Sequence, residues 1–258
     1  MSLLHAEYLK VSKRKLFPIM IGLLAFLMAI IALLFYLVLP ALPEAVGAGD
    51  SPIPQRPEAY VFGAQQVAGQ AWWFAVILVT AVLGGEVATT VWATSLTRES
   101  RKLRHISSRF VVFSISSWVA LVVGTAVWSA ITFLAAEGSG SPEASEWLGL
   151  LWKYLVISAA WTSIGLGVVA LTRSIALAMG IALGISFLDS IVAPFVDFYE
   201  TVSLTSASNG IFEIGGDGPL SAFIPGADMS AGHSLAVMAG WAALFLALTW
   251  WGLQRRDA

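Results

Sequence analysis

The stretch that decides the fold is Phe17–Leu39, FPIMIGLLAFLMAIIALLFYLVL, which carries no charged residue. A helix that crosses a bilayer needs about 20 consecutive apolar residues, and this run supplies them without a break. It also exceeds the roughly 7–15 apolar residues of a cleavable signal core, so it reads as a retained span. Outward from it, five further runs have the same character: 71–93, 110–136, 148–171, 174–196 and 234–251. They are too long and too uniformly apolar for barrel strands, which alternate over about 10 residues. The sequence therefore predicts an all-α integral membrane protein, one transmembrane domain over residues 1–258 with six transmembrane helices.

Composition points the same way. Of 258 residues, 58% are hydrophobic and 12% charged, with a mean hydropathy of +0.81. Soluble domains carry about 45–50% apolar and about 25% charged residues. Half the usual charge cannot cover a water-facing surface, which excludes a cytosolic enzyme, a nucleic-acid binder and a disordered adaptor. The net charge of −2 leaves no global basic field. With no cysteine there is no disulfide and no thiolate metal site. His5, His105 and His233 lie outside the apolar runs, so a bis-histidine haem within the bilayer is not available.

Lysine and arginine set the expected orientation, because short cytoplasmic loops carry them in excess. With the N-terminus inside, 12 of the 14 basic residues fall on the cytoplasmic side. These are Lys10, Lys13, Arg14 and Lys15; Arg98, Arg101, Lys102, Arg104 and Arg109; and Arg173, Arg255 and Arg256. Only Arg56 and Lys153 fall outside, and Lys153, beside Trp152 and Tyr154, can snorkel to the interface. Both termini are expected in the cytoplasm. Trp72 and Trp73 open the second span and Trp250 and Trp251 close the sixth, where indoles favour the water–lipid boundary.

Between the spans, residues 1–16 predict an amphipathic interfacial helix. Leu3, Leu4, Tyr8 and Val11 recur at helical spacing, while Glu7, Lys10, Lys13 and Arg14 would face lipid headgroups. The outer connection over 40–70 holds Pro43, Pro52, Pro54 and Pro57, so an irregular start giving way to a helix from Ala59 is expected. The connection over 197–233 is long enough to predict short helices capping the outer face. The joint at Thr172-Arg173 is tight and suggests a close hairpin of the fourth and fifth spans. Gly180 and Gly184 form a G-x-x-x-G that would let another helix approach, and Gly165 and Gly167 lie in the fourth span.

Chemistry-bearing motifs are scarce. H-E-x-x-H, G-x-S-x-G, C-x-x-C and the phosphate-cradling G-x-x-x-x-G-K-[ST] are all missing from the sequence. No catalytic, metal or cofactor residues are expected, and any dependence on ATP has to come from a partner. Two acids lie within spans, Glu86 toward the inner end of the second and Asp189 toward the outer end of the fifth. A charge at a helix centre costs about 2.5–3.5 kcal/mol on insertion scales, so each is either functional or held by neighbouring helices. Their different depths weaken a proton relay between them. Pro194, five residues beyond Asp189, is placed to kink or end its helix. The densest charge cluster is 97–109, with Arg98, Glu99, Arg101, Lys102, Arg104 and Arg109 around Leu103 and Ile106. It is either a plain positive-inside loop or a short docking helix.

Three places resemble the membrane-spanning subunit of ABC-2 type transporters, the six-span permeases of bacterial ABC exporters. One is Glu7-Tyr8-Leu9-Lys10 with the basic stretch before the first span, similar to the family's interfacial elbow helix. Another is Glu86 followed by Thr94, Leu96, Thr97-Arg98 and Arg101, similar to its acid and cytoplasmic coupling helix. Here Thr90-Val91 stands in place of the family's Gly-Thr pair, and the spacing to Arg101 is one residue short. The third is Trp241-Ala242-Ala243-Leu244 running through Trp250-Trp251 to Arg255-Arg256-Asp257.

The resemblance implies an exporter permease in the bacterial inner membrane that moves a hydrophobic or amphiphilic compound such as a drug, peptide or lipid. It implies a dimer with a second copy or a paralogous permease, on two P-loop ATPase subunits that hold the ATP and Mg. Thr97, Arg98, Glu99, Arg101, Lys102 and Arg104 would dock on the ATPase, and 197–233 would build the extracellular gate. The alternatives are an ion- or proton-coupled carrier using Glu86 and Asp189, or a non-transporting membrane assembly subunit.

Overall fold

A computed structural model describes residues 3–38, 56–88, 102–136, 140–172, 174–212 and 229–254. The helices in chain order are α1 (Leu3–Ser12), α2 (Leu16–Val38), α3 (Arg56–Ala68), α4 (Ala71–Ala88), α5 (Lys102–Ala135), α6 (Ala144–Thr172) and α7 (Ile175–Val192). After a 3₁₀ turn at Ala193–Phe195 come α8 (Asp197–Glu200), α9 (Leu204–Gly210) and α10 (Ala231–Gln254). Among the described residues there is no strand. Six helical stretches are long and apolar enough to cross a membrane, so the chain is a multi-pass membrane protein.

Helix α6 is the hub. From Ile157 to Ala170 its residues are buried almost without a break, the signature of a helix surrounded by others. It packs against α10 most extensively, then α4 and α5. Glycine permits this approach. A Cβ on Gly165 would stand 2.9 Å from Val79 Cβ, and one on Gly167 would stand 2.6 Å from Phe245 Cδ1. On α10, a Cβ at Gly252 would meet the Ala170 carbonyl oxygen at 3.0 Å. The G-x-x-x-G of α7 behaves differently: nothing among the described residues lies within 4 Å of a Cβ on Gly180 or Gly184. Gly165, Gly167 and Gly252 thus bring α4 and α10 close to α6.

The outer helices present large apolar side chains outward: Phe26 and Leu37 on α2, Phe187 and Leu188 on α7, Leu244 and Trp251 on α10. In water such a surface is an association hazard; in hydrocarbon it is the matching solvent.

Several boundaries differ from those expected. The third span begins eight residues early, because 102–109 forms the first turns of α5 rather than a separate short helix. At 34 residues α5 rises about 51 Å, well beyond a hydrocarbon core of about 30 Å. The fifth span stops at Val192, four residues short, where the Pro194 turn replaces it. The described part of 40–70 is a helix that joins the bundle. Ala59, Ala64, Val67 and Ala68 of α3 are buried, and only Gly69-Gln70 separates α3 from α4. The Tyr154 hydroxyl of α6 donates to Ala64 O at 2.8 Å and lies 2.6 Å from Thr125 Oγ1 of α5, tying three helices together.

Topology sorts the helix ends. One end of the bundle, the α1 end, gathers α1, the start of α2, the end of α4, the start of α5 and the end of α10. The far end gathers α3, the end of α5, the start of α6, α8 and α9.

Candidate functional site

Four charged side chains meet at the α1 end. Glu7 and Lys10 stand three residues apart on α1, the spacing that makes helix neighbours, and Lys10 Nζ lies 3.0 Å from Glu7 Oε1. Lys10 also lies 3.2 Å from Oε1 of Glu86, near the end of α4. Arg109, two turns into α5, donates from Nη2 to Glu86 Oε2 at 2.6 Å, and its Nε stands 3.5 Å from Glu7 Oε1. The result is a closed ring of alternating sign: Glu7, Lys10, Glu86, Arg109 and back to Glu7.

Burial makes this ring consequential. Glu7, Glu86 and Arg109 are 3%, 4% and 1% exposed. Withdrawing an ion from water costs several kcal/mol, which only close, complete pairing offsets. Within the ring the two acids and two bases cancel. Arg14 adds a further tether, donating from Nη1 to the Val82 carbonyl at 3.3 Å, one turn before Glu86. The ring thus fastens α1 to both helices that flank residues 89–101.

Placement of the expected site residues is mixed. Glu86 is ion-paired, and its partners were not legible as such: Arg109 reads in sequence as one more cytoplasmic base. Glu7 and Lys10 turn into the bundle rather than toward headgroups, while Leu4 and Tyr8 are exposed. Lys13 is also exposed and Arg14 is half-buried. Thr97, Arg98, Glu99 and Arg101 lie outside the described residues; Lys102 opens α5, and Arg104 is exposed on its first turn. A signal for the ring does exist, since an acid inside a span demands a cation and the next span opens with one.

Asp189 has a different role. Its Oδ1 accepts from the Tyr199 hydroxyl at 2.7 Å; its Oδ2 accepts from Ser203 Oγ at 3.0 Å and from the Thr205 amide at 2.7 Å. Ser203 in turn caps α9, its Oγ accepting from the Ser206 amide at 3.2 Å. Burial, and then the hydrogen bond and charge of Asp189, push the Tyr199 phenol up from its ordinary range, which keeps it a donor. The carboxylate is thus the knot of the turn joining α7 to α9. His233 and Trp241 of α10 pin the same turn, through Thr201 O and Val202 O, each at 2.8 Å. Of the expected gate region, 197–212 forms this strap and 213–228 lies outside the described residues.

Replacing Asp189 by Asn keeps one oxygen for Ser203 Oγ and the Thr205 amide, turns an NH2 toward the Tyr199 hydroxyl, and removes the charge from all three hydrogen bonds. It is expected to cost about 1.5–3 kcal/mol, the worth of a hydrogen bond to a charged group. Thermal unfolding in detergent would register the loss, and any transport activity would keep its wild-type pH profile. A changed pH profile would instead make Asp189 a proton-handling group.

The two bases that break the charge asymmetry are both held at the far end. Arg56 donates to Ala136 O at 2.9 Å and Phe133 O at 3.0 Å, capping the carbonyls at the end of α5. Lys153 Nζ stands 5.4 Å from the Phe212 ring centroid. Among the described residues no cluster of three His, Asp or Glu side chains could hold a metal ion. Neither the protein-family models nor the curated protein sequences compared with this chain give a match. The function has to be argued from the site.

Proposed function

We propose that this chain is the permease subunit of an ATP-driven exporter of the ABC-2 type, moving a hydrophobic or amphiphilic compound out of a bacterial cell across the inner membrane. The observation that carries the reading is the buried charge ring. It makes α1, the end of α4 and the start of α5 one mechanical unit around residues 89–101, the segment whose resemblance is to a coupling helix. A push on that segment from below would move three helices together rather than bend one.

Orientation has its own support. Lys10, Lys13, Arg14, Lys15, Arg104 and Arg109 all lie at the α1 end, which the positive-inside bias makes cytoplasmic. The exceptions, Arg56 and Lys153, have local partners at the far end. In this reading α1 is the interfacial elbow helix, both termini are cytoplasmic, and the strap over 197–212 belongs to the outer gate. ATP and Mg are held by a separate P-loop ATPase, since the sequence carries no phosphate-cradling loop. The permease pairs with a second copy or a paralogue. A proton-coupled carrier finds less support, because Glu86 and Asp189 serve opposite ends and Asp189 already accepts three hydrogen bonds.

The test is co-purification with a P-loop ATPase, followed by reversal of Arg98, Arg101 and Arg104 to Glu. Like charges across an interface cost several kcal/mol, so the triple variant should insert normally yet lose coupled ATPase activity by tenfold or more at about 1.4 kcal/mol per decade. Coupling at the wild-type level would refute the docking role. Transport by the isolated chain under a pH gradient, lost in Glu86→Gln, would favour the carrier. An assembled complex with no substrate-stimulated ATPase would point to the assembly subunit.

A further inference from the structure

Beside the charge ring, on the opposite side of α1, an apolar groove of about 500 Å³ opens between α1, α2 and α5. That volume falls within the range of about 300–1,000 Å³ typical of ligand sites. Its walls include Leu4 and Tyr8 of α1, Phe17 of α2, and Val111, Ile115 and Val119 of α5. Leu4, Tyr8, Val111 and Ile115 are each between 40% and 56% exposed, so the groove is open to its surroundings. From Val111 to Val119 it follows α5 for about 12 Å of helix rise, most of the depth of one hydrocarbon leaflet at about 15 Å.

The rim is basic. Ser12 and Phe17 line the groove and bracket the turn that carries Lys13, Arg14 and Lys15. Lys10 is taken up by the ring, and Arg14 donates to Val82 O. Lys13 and Lys15 are exposed, and neither forms an ion pair or side-chain hydrogen bond among the described residues. Two exposed ammonium groups are thus carried on the turn between two residues, Ser12 and Phe17, that line an apolar slot of leaflet depth.

We propose that this groove is a binding site for an anionic phospholipid of the bilayer, with one acyl chain between α1 and α5 and the headgroup phosphate on Lys13 and Lys15. The site rests on the orientation argued above, which puts this turn at the cytoplasmic headgroup layer where anionic lipid concentrates. Because α1 carries Glu7 and Lys10 on its other face, a seated lipid would wedge α1 in the position that closes the ring, making the ring's geometry sensitive to the lipid around it.

The experiment is lipid retention by the full chain in native mass spectrometry, with dipalmitoyl phosphatidylglycerol against dipalmitoyl phosphatidylcholine. Each lysine near a headgroup is worth roughly fivefold in binding, so with two of them wild type should retain the anionic lipid about 25-fold better. Lys13→Gln with Lys15→Gln, both exposed positions that leave the fold intact, should abolish that preference. Ile115→Trp, which fills the groove, should reduce retention of both lipids.

Equal retention by wild type, or a preference that survives the lysine substitutions, would overturn the site. So would an intermolecular disulfide through Ile115→Cys in this cysteine-free chain, since a second copy would then cover the face. No ATPase takes part in the assay. Equal retention of the two lipids by wild type beside intact ATPase coupling sinks only this site, and a lysine-dependent preference beside absent ATPase coupling sinks only the exporter reading.

Discussion

An Arg109→Met chain is expected to lose about 3–5 kcal/mol of stability, the cost of removing one partner from a buried ion pair. The loss should appear as a large fall in the thermal midpoint in detergent, or as failure to accumulate in the membrane. The methionine approximates the arginine stem, so packing changes little and charge changes most. With Arg109 gone, the group of Glu7, Lys10 and Glu86 holds two acids to one base and acquires a net negative charge. Neutralising both partners, Glu86→Gln with Arg109→Met, leaves the Glu7–Lys10 pair intact and no orphaned charge. That double variant should recover a large part of the loss, with a coupling energy above about 1 kcal/mol in a double-mutant cycle. Strictly additive losses would mean that Arg109 acts through packing rather than as the counter-ion of Glu86.

Gly63→Ala is expected to be nearly as damaging, from a change of one methyl group. A Cβ at this position of α3 would overlap the indole of Trp128 at Cδ1 and Nε1. Trp128 is 1% exposed and packs against the stacked pair Phe35 and Phe62, each ring centroid 6.2 Å away. It has no room to retreat, so α3 must lift from α5. Overpacking of a tight core typically costs about 1–3 kcal/mol, and this clash belongs at the upper end. In a Trp128→Leu background the same alanine should cost far less, because the indole it strikes is gone. Thermal unfolding of the four chains checks this; an equal penalty in both backgrounds would show that α3 does not depend on this contact.

Both variants touch features that the linear sequence conceals. Gly63 falls in a connection that reads as loop followed by helix, and nothing in FGAQQ announces an aromatic partner some 65 residues away in the chain. Arg109 reads as one more base in a cytoplasmic cluster. The G-x-x-x-G of α7 looks like a packing motif yet faces away from the described bundle, while the less conspicuous Gly165 and Gly167 carry the contacts of α6. In each case the residue type was legible and its partner was not, because partners depend on how a helix is rotated. A rotation of about 100° per residue moves a side chain from the core to the lipid.

Other features were fully legible. The sequence by itself determined the class of protein and the number of apolar spans, and among the described residues it anticipated that most basic side chains share one end. Hydrocarbon satisfies no backbone polar group, so each apolar run must close its own hydrogen bonds as a helix whatever its neighbours do. Pro194 likewise announced the end of α7, since proline removes an amide and fixes its own backbone. Tertiary structure alone decided that α3 joins the bundle, that Glu86 closes a ring with Glu7, Lys10 and Arg109, and that Asp189 ties the far-end turn. Those outcomes depend on which faces of separate helices meet. A buried charge makes the choice stringent, because it is stable only where the opposite charge arrives with it.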